Sequence, residues 1–189
     1  SDVPLSDLLD RQKQQCRSFL ATVAENHPRQ FEVVSASNTP KGSVSVDEGY
    51  LGLILEELMV NAVKYSPEES RIVVDFGTQA NSTGDYLLIT LENKAKTSSK
   101  KGDDGERIVG IPYEQSELVF DLFYTLDAYS TSIPEERWKD GTGLYIARRI
   151  LSRFGAAIDV ANGLDYTAEI PQPIVRVVVR LPITQGGSL

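Results

Sequence analysis

A helical stretch around residues 51–65 constrains this chain most, because its two sides demand different surroundings. At about 100° per residue, Leu51, Ile54, Leu55, Leu58 and Ala62 fall together and would be buried. Glu57, Asn61 and Lys64 form a separate stripe, with Tyr65 at its edge. A carboxylate, an amide, an ammonium and an aromatic ring in one line make a poor core face. They suit a nucleotide. The amide can hold a metal ion, the carboxylate can orient or deprotonate a water, the ammonium can meet a phosphate, and the ring can pack on a base. A surface helix with ordinary solvated polar residues shows the same stripe, so the stripe alone leaves both readings open. Asp47 is placed to cap this helix, and Pro67 stops it.

A chain of 189 residues with 41% hydrophobic and 24% charged residues has the composition of an ordinary globular protein. One domain over 1–189 is expected, with 1–4 and 185–189 as disordered ends. No apolar run approaches the ~18 residues of a membrane span, and no signal-peptide pattern opens the chain. The single cysteine, Cys16, fits a buried position and a reducing compartment, so a cytoplasmic domain without membrane contact is expected. A net charge of −8 speaks against nucleic acid as a partner. An anionic ligand would need its charge met locally by a few cations, backbone amides and a metal. The one histidine, His27, precedes Pro28 and reads as a loop residue, which excludes a histidine-based triad or multi-histidine metal site.

Ser6 is a candidate cap for a first helix running to about Ala24. A short strand at 31–35, a turn at 38–42 and a brief extended piece at Val44 and Val46 precede the two-sided helix. Strands at 71–76 and 86–91 make an antiparallel hairpin. Residues 94–107 lack periodicity and read as a mobile loop, and 112–123 as a short helix. Residues 127–140 are long for a connection and make a candidate lid. Gly141, Thr142 and Gly143 lead into a helix at 144–151 that ends near Gly155, followed by closing strands at 157–160 and 174–181. Hairpins mixed with helices predict an α+β two-layer sandwich, a mixed sheet with helices on one face.

Together these segments resemble the GHKL ATPase superfamily and its Bergerat-type fold, most closely the ATP-binding catalytic domain of bacterial sensor histidine kinases. Residues 57–67 resemble that family's N box, 119–124 with Phe123 its F box, and 141–150 its second glycine box. The resemblance implies ATP and Mg²⁺ as cofactors. It places Asn61 on the metal, Lys64 on a phosphate, Tyr65 beside the adenine and Glu57 where superfamily hydrolases carry a water-activating base. Gly141, Thr142, Gly143 and Leu144 would cover the triphosphate. The implied activity is transfer of the γ-phosphoryl group to a histidine on a dimerisation domain outside this chain, with a response regulator downstream. Alternatives are a GHKL domain kept as a nucleotide-independent binding or regulatory module, or a GHKL serine kinase or ATPase.

The sequence departs from that family at its first glycine box. The expected aspartate and glycines are missing after the strand, and the pattern resumes only at Gly110. Glu92 stands in register for the adenine-binding aspartate, with Asp103 and Asp104 as outside candidates. His27 does not match a phosphoacceptor, so the chain is expected to be a catalytic domain belonging to a larger kinase.

Overall fold

The computed structural model describes residues 1–36, 41–82, 84–101, 105–121, 142–167 and 169–185. Helix α1 (Leu5–Ala24) turns Leu5, Leu8, Leu9, Cys16, Leu20 and Val23 inward at helical spacing. Its N-cap is Pro4 without a side-chain cap, and Ser6 lies inside the helix, bonded to Asp7. Helix α2 (Glu48–Lys64) starts as the sequence predicts: the Asp47 carboxylate accepts from the Tyr50 amide at 3.1 Å. Its end carries a cap that no local pattern announces. Arg29 donates to the Val63 and Ser66 carbonyls at 3.3 and 3.1 Å, placing a cation against the negative helix terminus.

Among the described residues nine strands accompany the helices: β1 (Asp2–Pro4), β2 (Gln30–Ser35), β3 (Ser43–Ser45), β4 (Arg71–Asn81), β5 (Gly84–Lys94), β6 (Thr97–Lys101), β7 (Arg107–Val109), β8 (Ala157–Asp165) and β9 (Gln172–Thr184). Seven make one mixed sheet in the order β1-β3-β9-β5-β4-β2, with β8 also paired to β9. β2 runs parallel to β4, and the other pairings in this sheet are antiparallel. Helix α3 (Gly143–Ser152) joins α1 and α2 on one face, where Leu55, Leu58, Phe76, Ile89, Leu91 and Leu181 belong to one buried cluster. The expected two-layer α+β sandwich is the observed one.

Several local expectations are corrected. Within the expected loop, β6 pairs antiparallel with β7, Thr97 facing Val109 and Lys101 facing Arg107, and the Ser-Ser-Lys-Lys run of β6 has no apolar periodicity to mark it. Of the helix expected over 112–123, the described residues 112–121 show two single 3-10 turns, Tyr113–Gln115 and Leu118–Phe120. Asp2–Pro4, expected among the disordered ends, pairs with β3 and buries Val3. The candidate lid at 127–140 lies outside the described residues. Among the described residues no helix is long and apolar enough to cross a membrane.

Burial pushes the Cys16 thiol up to about 12. An unfolded thiol titrates near ~8.5, so above that pH the unfolded chain has lost a proton that the folded chain keeps. Stability should therefore fall as pH rises between those values, by about 1.4 kcal/mol per unit from this group. At a pH of about 8.5, a thiol alkylating reagent should label Cys16 only as fast as the chain opens. Rapid labelling of the folded chain would contradict this burial.

Candidate functional site

Helix α2 is buried along most of its circumference, including Leu51, Ile54, Leu55, Leu58, Met59, Ala62 and Val63. Glu57, Asn61, Lys64 and Tyr65 remain half-buried, as a stripe beside a cleft. One turn apart, Asn61 Nδ2 donates to Glu57 Oε1 at 3.3 Å. That bond uses the amide nitrogen and leaves Asn61 Oδ1 as a hard oxygen donor. The Lys64 ammonium sits 5.1 Å from the centre of the Tyr65 ring. Burial lowers the Lys64 pKa, and the Glu57 charge partly opposes this. Burial raises that of the Tyr65 phenol, and the Glu57 charge adds to it.

The stripe meets α3 at its first turn. A Cβ on Gly143 would lie 1.9 Å from Glu57 Oε1 and 2.7 Å from Glu57 Cγ, so glycine is required for this approach. Thr142 precedes α3 without a side-chain cap. A first turn of this kind presents backbone amides to a negative group, and the Glu57 carboxylate lies beside it.

The cleft itself is narrow, with a cavity volume of about 70 Å³. Leu58, Ala62, Leu91, Val160, Val175 and Val177 are among the apolar residues of its wall. Asn61, Tyr65, Gly110 and Leu144 all line it, so residues distant in sequence converge there. Glu57, Lys64, Thr142 and Gly143 belong to the adjoining stripe and α3 turn. Phe123, Gly141, Asp103 and Asp104 lie outside the described residues.

The expectation for Glu92 is overturned. Strand β5 buries Leu87, Ile89, Leu91 and Asn93 on the helix side, so Glu92 points to the other face. There it pairs with Arg176 of β9, its register partner, at 2.5 Å. The cleft residue is Asn93, 6% exposed. Asn93 Nδ2 donates to the Lys94 carbonyl at 3.0 Å, which uses one of its two N–H groups and leaves Oδ1 as an acceptor for a ligand. Counting inward positions by twos from Leu87 would have reached Asn93.

The residues after β5 return to the cleft through a side-chain clamp. Asn162 of β8 donates to the Ile111 carbonyl at 2.6 Å and accepts from the Ile111 amide at 3.0 Å. Gly110, at φ +69°, passes so close that a Cβ there would lie 2.4 Å from Asn162 Oδ1. Asn162 thus imitates a strand partner for one residue, and no sequence motif marked it. Among the described residues no group of three or more His, Cys, Asp or Glu side chains could hold a metal ion. A magnesium ion needs few protein ligands when phosphates and waters supply the rest, and Asn61 Oδ1 is an oxygen that could serve as one.

Residues 46–185 match the family described as Histidine kinase-, DNA gyrase B-, and HSP90-like ATPase. The sensor histidine kinase WalK of Bacillus subtilis is 30% identical over 115 residues, covering 61% of this chain and 16% of WalK. The catalytic domain of histidine kinase ThkA superposes with a TM-score of 0.66 at 15% identity, covering 97% of this chain and 99% of that one. Full-length ShkA, solved in complex with AMPPNP, gives 0.63 at 19% identity, covering 100% of this chain and 32% of ShkA. The two solved structures share the fold.

Asn162→Ala should strand the Ile111 amide and carbonyl, costing about 1–3 kcal/mol of stability in urea denaturation. Gly110→Ala should also destabilise, through its positive φ and the Asn162 contact. An unchanged midpoint for Asn162→Ala would contradict the clamp.

Proposed function

This chain belongs to the family of histidine kinase-, DNA gyrase B- and HSP90-like ATPases, and from that membership we propose that it binds Mg-ATP and phosphorylates a histidine. The histidine is carried on a dimerisation domain of the same kinase, outside these residues. A response regulator takes the phosphoryl group onward; ThkA, a structural neighbour, has been solved in complex with the response regulator protein TrrA. Because the chain spans only 16% of WalK, the activity of a whole kinase is part of the proposal.

One observation carries this proposal: an apolar cleft opens beside a carboxylate–amide–ammonium stripe that touches the first turn of α3. The base enters between Leu58, Ala62 and Val177, with Tyr65 beside it. Asn93 Oδ1 accepts a hydrogen bond from the adenine amino group. Being neutral, it makes a weaker bond than a carboxylate would, roughly half as strong. Lys64 meets a phosphate, whose charge offsets the burial that lowers the ammonium's pKa. Asn61 Oδ1 takes the cation, which when bound neutralises charge across the phosphate oxygens. Glu57 stands next to both and orients the attacking imidazole or receives its proton.

In the transfer, the imidazole nitrogen bonds to the γ-phosphorus while the bond to the β,γ-bridging oxygen breaks and ADP leaves. Positioning and charge neutralisation do most of this work, and the stripe supplies both.

Calorimetric titration of the chain with ATP, with and without Mg²⁺, tests the assignment. Binding should depend on the cation in the wild type, and Asn61→Ala should remove that dependence. No heat at millimolar Mg-ATP would contradict the proposal. Glu57→Gln should keep binding and lower phosphoryl transfer to the histidine domain by about 10²-fold or more.

A further inference from the structure

Lys64 and Tyr65 stand where helices ordinarily fray: Lys64 is the last residue of α2 and Tyr65 its C-cap. Carbonyls in a last turn lack helical partners, and here one guanidinium supplies them. Arg29 Nη2 donates to the carbonyls of Val63 and Ser66 at 3.3 and 3.1 Å, and Arg29 Nε to the Ser66 hydroxyl at 3.0 Å. Ser66, 2% exposed, donates in turn from Oγ to the Val63 carbonyl at 3.3 Å. The residue before Lys64 and the residue after Tyr65 are thus held by the same planar group. That group is itself anchored. Arg29 Nη1 donates to the Pro28 carbonyl at 2.9 Å, and the same carbonyl accepts from the Glu69 amide at 2.7 Å. One residue on, the Gln30 amide donates to the Ser70 carbonyl at 3.0 Å, and β2 pairs with β4 from there.

Given the nucleotide site proposed above, on which this rests, we infer that Arg29 is a positioning residue of that site, acting through Lys64 and Tyr65 without itself meeting the nucleotide. Tyr65 lines the cleft and Arg29 does not. Turning the Lys64–Tyr65 segment would break the bonds at Val63 and at Ser66 together, so the guanidinium fixes the direction of the ammonium and of the ring at once. Ligand residues that are already ordered cost less to engage on binding, and that saving appears as affinity. A simple helix cap needs only a cation near the last carbonyls, which a lysine would provide. Positioning needs the fork. Two carbonyls and one hydroxyl are met here from fixed directions by a single plane, which a compact ammonium on a flexible stem does not reproduce. The sequence gives no hint of this link, since Arg29 lies 37 residues from Ser66.

Calorimetric titrations of the 189-residue chain with Mg-ADP, at a temperature where circular dichroism shows each variant folded, separate positioning from ordinary capping. Arg29→Met should weaken Mg-ADP by about tenfold, and Arg29→Lys, which keeps the charge, by about fivefold. Asp47→Ala removes the cap at the far end of the same helix and should bind within about twofold of the wild type. Because Arg29 acts through Tyr65, the double variant Arg29→Lys/Tyr65→Ala should lose less than the product of the two single losses. Should Arg29→Met not fold, Arg29→Lys and the double variant carry the test. Wild-type affinity in Arg29→Lys, equal weakening by Asp47→Ala, or single losses that multiply would overturn the positioning role and leave the nucleotide site standing. If the wild type binds no Mg-ADP, the nucleotide site itself fails and this inference fails with it.

Discussion

Burial of α2 between the sheet and its two neighbouring helices sets what the rest of the molecule can present. Leu51, Leu55, Leu58 and Met59 are at most 2% exposed, and truncating one such leucine typically costs about 2–5 kcal/mol. That packing fixes the rotation of the helix about its axis. With the apolar sides committed, Glu57, Asn61 and Lys64 have one direction left, toward the cleft and α3. Both ends of the helix are tied as well, by the Asp47 carboxylate and the Arg29 guanidinium. A polar stripe held this firmly can position phosphate and metal ligands without first being ordered by them.

The same economy governs the base end. Two antiparallel partners, β4 and β9, hold β5 in register, and alternation then decides which side chains enter the cleft. Asn93 goes in and Glu92 goes out. The neutral amide costs less to bury than a carboxylate would, and its orientation is set by the Lys94 carbonyl. Beyond β5 the chain leaves the sheet as a basic hairpin and must return before the cleft can close. Asn162 achieves that return by pairing with both backbone groups of Ile111, at a point where Gly110 alone can pass. The phosphate end is thus built from a helix and its packing, and the base end from strand register plus one side-chain clamp.

Much of this was legible in the sequence where local periodicity and capping carry the information. The α2 helix, its Asp47 cap, the stripe, the β4–β5 hairpin and the start of α3 all follow from short-range patterns. The features that escaped depend on contacts between distant segments. Arg29 caps α2 from 34 residues upstream of Val63, and Asn162 reaches Ile111 across 51 residues. Glu92 was misjudged because motif register was followed in preference to strand alternation, and a shift of one residue changes the face. The β6–β7 hairpin was hidden because serine, lysine and glycine carry little strand signal on their own.

The account stands on one location: nucleotide binds on the helix side of the sheet, from Asn93 across Asn61 to Gly143. Amide-resolved NMR titration of the whole chain with Mg-ADP tests that most directly. The signals of Asn61, Tyr65, Asn93, Gly110 and Gly143 should shift together along one saturable curve. Those of Asp159 and Arg180, an ion pair on the outer face, should stay in place. Shifts centred on the outer face around Arg176 and Arg180, with the α2 stripe unchanged, would contradict the site.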